Sequence, residues 1–98
     1  MKLRFTDQAI QEIVDARQYY EERREDLGLR FDSALDVATK TIAQSPERYR
    51  VFWKDRRRVF LKRFRYFLVY IVAEDAVAVI GCIHSSRKPA IWKNRDVD

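Results

Sequence analysis

Cysteine, histidine and methionine each occur once in this sequence, and glycine and proline twice each. A lone cysteine, Cys82, excludes a disulfide or a multi-cysteine metal site within one chain. It lies inside a predicted strand and reads as a small buried hydrophobe. A lone histidine, His84, has no second histidine with which to ligate a metal and no carboxylate near it in sequence to complete a triad. No metal and no cofactor is expected. Gly28 and Gly81 stand apart, so a glycine-rich phosphate loop is absent. So few glycines and prolines, beside 47% hydrophobic and 36% charged residues, exclude a disordered or fibrous chain and require short connections. The apolar runs are too short, and too broken by charge, to cross a bilayer. Met1–Asp7 lacks the apolar stretch of a secretory signal. The expectation is a soluble cytoplasmic protein with no membrane partner.

What the chain does have is a centre, Phe64–Trp92. Phe64–Val72 is an almost unbroken apolar and aromatic run, Ala73-Glu74-Asp75 interrupts it, and Ala76–Ile83 resumes it. Two such runs around a short polar break predict an antiparallel hairpin. Neither alternates cleanly between apolar and polar residues, which places both in the middle of a sheet covered on both faces. The second run empties into His84-Ser85-Ser86-Arg87-Lys88-Pro89-Ala90-Ile91-Trp92, where basic and polar groups crowd the end of a buried strand.

Upstream, Lys2–Phe5 alternates as a short strand does, and Thr6-Asp7 supplies two candidate caps for a helix. Ile10, Ile13, Val14 and Tyr20, with Ala9 and Ala16, recur at helical spacing and predict a helix from about Asp7 to about Arg24. The turn is expected in Glu25–Gly28, at the first glycine. A second helix carries Phe31, Ala34, Leu35, Ala38 and Ile42 and stops before Ser45-Pro46. Tyr49–Trp53 reads as a strand or its approach, Lys54–Arg58 as a charged turn or strand entry, and Val59–Arg63 as a strand. The fold class is therefore α+β in one domain over residues 1–98. It comprises an N-terminal strand, a two-helix antiparallel hairpin and a three- to four-stranded antiparallel sheet.

Charge divides the chain. Met1–Glu47 holds 7 Lys/Arg against 10 Asp/Glu, whereas Arg48–Asp98 holds 13 against 5, for net charges of −3 and +8. A basic half suits an acidic partner, either nucleic acid or an acidic protein surface. Arg56, Arg57, Arg58, Lys62, Arg63 and Arg65 are interleaved with Phe60, Phe64 and Tyr66, so guanidinium forks can meet phosphate or carboxylate oxygens while aromatic rings stack. The plainer reading is an edge strand kept from aggregating by its charges. A second group holds His84, Arg87, Lys88, Trp92, Lys93 and Arg95. His84 can act as an acid or base near neutral pH and Arg87 can steady a developing phosphate charge. Alternatively, His84 orders the strand end and Trp92 closes the core.

These residues resemble a known family. The strand and two amphipathic helices, Ser45-Pro46, the arginine triplet, Lys62–Tyr70 and His84–Trp92 are together similar to the ParE/RelE superfamily of type II toxins, often labelled plasmid stabilisation proteins. His84, Arg87, Pro89 and Trp92, with Arg95 beyond, are most like the ParE branch. Arg65 departs from the proline common there. RelE-like ribonucleases carry arginines where Phe67 and Ser85 stand, and a tyrosine near the C-terminus where this tail has Trp92. The resemblance implies a toxin that binds and inhibits DNA gyrase without bond chemistry. It further implies neutralisation by a cognate ParD-like antitoxin within a toxin–antitoxin hetero-oligomer. Residues expected to meet target or antitoxin are Arg56, Arg57, Arg58, Lys62, Arg63, Arg65, Arg87, Trp92 and Arg95. The alternative is a RelE-like endoribonuclease acting on messenger RNA at the ribosome, with His84 and Arg87 catalytic.

Overall fold

Thr6 opens the first helix as expected: its backbone is extended and its Oγ1 accepts from the Ala9 N–H at 3.1 Å. The computed structural model describes residues 1–97. Strand β1 (Lys2–Phe5) leads into α1 (Asp7–Arg23) and α2 (Glu25–Gln44), which are joined by the single extended residue Arg24. Then come β2 (Val51–Trp53), β3 (Arg56–Phe60), β4 (Tyr66–Val72), β5 (Ala76–His84) and a short α3 (Ala90–Lys93). The expected turn at Gly28 is corrected, because Gly28 lies inside α2. A Cβ there would sit 3.1 Å from the Glu21 Cβ, so this glycine lets two helices approach closely. The helix ends at Ser45, whose N–H reaches the Thr41 carbonyl ahead of Pro46.

The five strands form one mixed sheet in the order β1-β5-β4-β3-β2. Strands β2 to β5 pair antiparallel as successive neighbours, and β1 crosses the helical hairpin to lie parallel beside β5, with Lys2 opposite Ala76 and Phe5 opposite Val79. The triplet Arg56–Arg58 lies within β3, not in the turn before it. The turn is Lys54-Asp55, with Lys54 in the left-handed region at φ 50°.

Both faces of the sheet are covered, which explains why β4 and β5 show no alternation. Leu68, Tyr70, Val77, Val79 and Cys82 point to the helices and meet Ala9, Ala16, Phe31, Ala38 and Ile42. Phe67, Val69, Ile71, Ile80 and Ile83 point the other way, where Trp92 lies over them with Phe52 and Trp53 at its side. A β-bulge joins the two halves of β5. Val69 pairs with Gly81 but Tyr70 with Val79, so Ile80 is the additional residue.

Among the described residues no strand neighbours the outer edge of β5 beyond Phe5, and two charged side chains take its place. The Glu12 Oε1 accepts the Cys82 N–H at 3.0 Å, and Arg95 Nη1 donates to the Ile80 carbonyl at 3.1 Å. The same guanidinium grips both Glu12 oxygens, at 2.7 and 2.8 Å. Gly81 leaves the room, since a Cβ there would fall 2.7 Å from Arg95 Nη1. Arg56 then donates to the Arg95 carbonyl, and Arg4 reaches the Val97 carbonyl at 3.4 Å, so the tail is pinned along its length.

Burial holds two acidic protons in place. The Tyr70 hydroxyl, bonded to the Pro46 carbonyl at 2.8 Å, is pushed up to about 12, and burial pushes the Cys82 thiol to about 12, with the Glu12 carboxylate adding to it. The ordinary values are 10.0 and 9.0. Above these the unfolded chain loses protons that the folded chain keeps, so stability is full below pH 9 and falls as pH rises toward 12. Urea unfolding midpoints measured from pH 8 to 12 are expected to decline over that window, and Cys82→Ala and Tyr70→Phe each to flatten the decline.

Candidate functional site

Strand periodicity disperses the arginine triplet, because successive side chains on β3 point to opposite faces. Arg57, opposite Tyr70, turns toward the helices and donates to the Tyr49 carbonyl at 2.5 Å. Arg56 and Arg58 turn to the Trp92 side. Arg56 is 7% exposed, pairs with Asp55 and packs 5.3 Å from the Trp53 ring. Arg58 is exposed, its guanidinium 4.6 Å from the Phe52 ring and 5.3 Å from both Phe60 and Phe67. Two of the three arginines thus hold the fold, and one offers charge to solvent.

His84 closes the far end of β5. It pairs with Tyr66, whereas Arg56 pairs with Ile71, five positions further along β4 or roughly 17 Å at strand rise. The arginine triplet and His84 therefore do not converge. The turn after β5 fixes the imidazole: Arg87 N–H bonds the His84 carbonyl at 2.9 Å, and His84 Nδ1 accepts from the Ser86 N–H at 3.2 Å with the Ser86 hydroxyl at 2.7 Å. With Nδ1 occupied as an acceptor, the neutral ring carries its proton on Nε2, where it is a donor and not a base.

Around that ring is a cleft of about 480 Å³ lined by Tyr19, Tyr20 and Arg23 at the end of α1, Leu27, Arg65 and Tyr66 at the start of β4, and His84 and Arg87. The Arg65 carbonyl accepts the Ser85 N–H at 2.7 Å, which holds Arg65 beside the turn. Tyr66 meets His84 edge to face at 5.1 Å, and desolvation raises its hydroxyl above the ordinary phenol range. The cleft continues toward α1, where Glu12 and Asp15 form its other end. Among the described residues no three His, Cys, Asp or Glu side chains gather in a way that could hold a metal ion.

A separate groove follows the outer face of α2. Near the helix start Leu27, Leu29, Arg30 and Ser33 face Arg63 and Phe64; further along, Val37 and Thr41 face Tyr49, Phe60 and Lys62. Leu29, Val37 and Phe60 are 61%, 65% and 55% exposed, so the floor is apolar and open while its rim is cationic.

With this geometry in view, the chain can be set beside known proteins. The family model described as the ParE toxin of the type II toxin–antitoxin system parDE matches residues 3–89. The chain belongs to the ParE toxin family. Toxin ParE2 from two strains of Mycobacterium tuberculosis is 25% identical over 89 residues, which is 90% of this chain and 85% of that protein. A solved structure titled "Chromosomal ParDE TA system from P. aeruginosa" superposes with a TM-score of 0.74 at 14% identity, covering 86% of this chain and 95% of the other. That likeness is one of fold. This ParE-family protein is thus a type II toxin by family, with the α+β architecture expected of it. Among its described residues no helix is long and apolar enough to cross a membrane.

The nine residues expected at a binding surface of this ParE-family toxin fall into five places. Arg65 and Arg87 line the His84 cleft, and Lys62 and Arg63 the α2 groove. Arg58 and Arg57 take opposite faces of β3. Arg56, Trp92 and Arg95 are held inside the fold, where they tie down the tail. Sequence reasoning missed Tyr19 and Arg23 in the cleft and Leu29 and Val37 in the groove. An apolar stripe off the core face of α2 was the signal for the latter pair.

Glu12→Gln tests the edge closure. Glutamine keeps an acceptor for the Cys82 N–H but leaves the nearly buried Arg95 charge unpaired. The expected cost is about 2–3 kcal/mol, somewhat under that of a fully buried pair because Glu12 is 24% exposed. A urea unfolding midpoint equal to that of the parent would contradict it.

Proposed function

We propose that this ParE-family toxin binds DNA gyrase and blocks its cycle without making or breaking bonds itself, and that a cognate ParD-like antitoxin neutralises it in a hetero-oligomer. The family match across residues 3–89 carries this reading. The dispersal of the arginine triplet, away from His84, supports a non-catalytic role. A ribonuclease needs a base and charge-stabilising donors around one phosphodiester, whereas His84 Nδ1 is engaged by Ser86 and the β3 arginines lie toward the other end of the strands. The ribosomal reading therefore lacks the free general base that cleavage of a strand requires.

For the antitoxin, the α2 groove is the fitting receiver. An amphipathic acidic segment can lay apolar side chains against Leu29, Val37, Phe60 and Phe64 and set carboxylates against Arg30, Lys62 and Arg63. Such a segment folds on binding, offsetting its ordering entropy by the apolar surface it covers. The P. aeruginosa relative in fold, titled as a ParDE system, is consistent with such a pairing.

Purified gyrase assayed for supercoiling is expected to stall as the toxin is added in excess, and messenger RNA from induced cells to show no codon-linked cuts by primer extension. Unimpeded supercoiling with folded toxin, or cuts that vanish in Arg87→Ala, would reverse the reading. Val37→Glu, at a site exposed enough to leave the core undisturbed, is expected to weaken antitoxin binding at least about tenfold by calorimetry, since it buries an unpaired carboxylate.

A further inference from the structure

Three guanidiniums approach the His84 cleft from three separate elements: Arg23 from the last turn of α1, Arg65 just ahead of β4 and Arg87 from the turn after β5. No carboxylate lines this part of the cleft. Elsewhere the chain pairs its helical arginines readily, Arg17 with Glu21 and Asp32, and Arg24 and Arg30 with Asp26. The three at the cleft have no ion-pair or side-chain hydrogen-bond partner among the described residues. Arg23 instead lies 3.7 Å over the Tyr19 ring. The acids at the other end of the trough are engaged already, Glu12 by Arg95 and Asp15 by the Gln11 side-chain amide at 2.8 Å. Like charges brought together without a counter-charge repel, and an anion in the cleft removes that cost.

The donor set identifies the anion. Each guanidinium presents a planar fork of N–H groups, His84 adds an Nε2–H, and Tyr19 and Tyr66 add hydroxyls. That is more than the two oxygens of one carboxylate can accept, whereas a phosphate monoester offers three charged oxygens at the tip of a tetrahedron. Tyrosine rings beside the cations suit a phosphate attached to a planar base.

We propose that the cleft formed by Tyr19, Arg23, Arg65, Tyr66, His84 and Arg87 binds a nucleotide phosphate, presented either by a free nucleotide or by the 5′ end of a single strand. It adjoins the apolar groove assigned to the antitoxin at Leu27 but has its own cationic lining, and it lies on the helix side of the sheet, away from Arg58. It does not depend on gyrase being the target.

The test is NMR titration of the full-length toxin with inorganic phosphate, with 5′-AMP, and with an eight-nucleotide DNA strand carrying or lacking a 5′-phosphate. Saturable shifts of the Ser85–Arg87 amides and the His84 ring are expected with the phosphate monoesters. Arg65→Ala and Arg87→Ala should each weaken binding roughly tenfold or more, Arg87→Lys should restore part of it, and Arg50→Ala, at the opposite edge of the sheet, should change nothing. All three positions are exposed, so the variants should keep the parent's circular dichroism and melting. Tightest binding by the 5′-phosphorylated strand identifies a strand end as the source; equal binding of that strand and 5′-AMP identifies a free nucleotide. The proposal is overturned if no saturable shift appears at the cleft, if Arg50→Ala weakens binding as much as Arg87→Ala, or if a glutamate-rich peptide occupies the cleft more tightly than any phosphate.

Discussion

One ion pair completes what β-sheet pairing leaves unfinished. Strand β1 covers only the first half of β5, and the exposed edge beyond it is a template for unwanted strand addition. Glu12 and Arg95 close that edge by taking the N–H of Cys82 and the carbonyl of Ile80, the groups a neighbouring strand would have used. The pair joins α1 to the tail, and the tail carries Trp92 onto the second face of the sheet. Loosening it exposes both an edge and a face. A partly buried pair of this kind adds little net stability over an apolar substitute, but it allows only one seating of the tail.

With both faces closed, the surfaces left for recognition are few and chemically distinct. The α2 groove is apolar with a cationic rim, a combination suited to a folding peptide. The His84 cleft is polar and cationic, suited to a small anion. Arg58, laid across Phe52, Phe60 and Phe67, is an exposed charge of the remaining face. A half-chain charge of +8 is thus no single patch; the topology distributes it over surfaces that face different ways.

The central hairpin, both long helices, the Thr6 cap and the stop at Ser45 were legible because each rests on local signals: apolar period, turn composition and capping chemistry. The turn at Arg24 was not. Gly28 is a strong breaker by composition, yet close helix packing against Glu21 claimed it. Reading Lys54–Arg58 as a charged turn or strand entry left unseen that alternate arginines leave opposite faces of β3, so a cluster in sequence is not a cluster in space. The cleft was half legible. His84, Arg65 and Arg87 stand out as charges in the basic half, but Tyr19 and Arg23 join them only through the packing of α1 against β5, which no local pattern reports. The same holds for Glu12 and Arg95, 83 positions apart.

The parallel placement of β1 has a bearing on how the protein is made. Lys2 to Phe5 leave the ribosome long before Ala76 to Val79, with which they pair, and Glu12 waits longer still for Arg95. The helical hairpin can form early from near neighbours, while the sheet must wait for nearly the whole chain. A truncated or stalled product therefore has no closed edge and no covered second face. Synthesis past Trp92 and Arg95 is thus the condition for assembling a complete toxin surface.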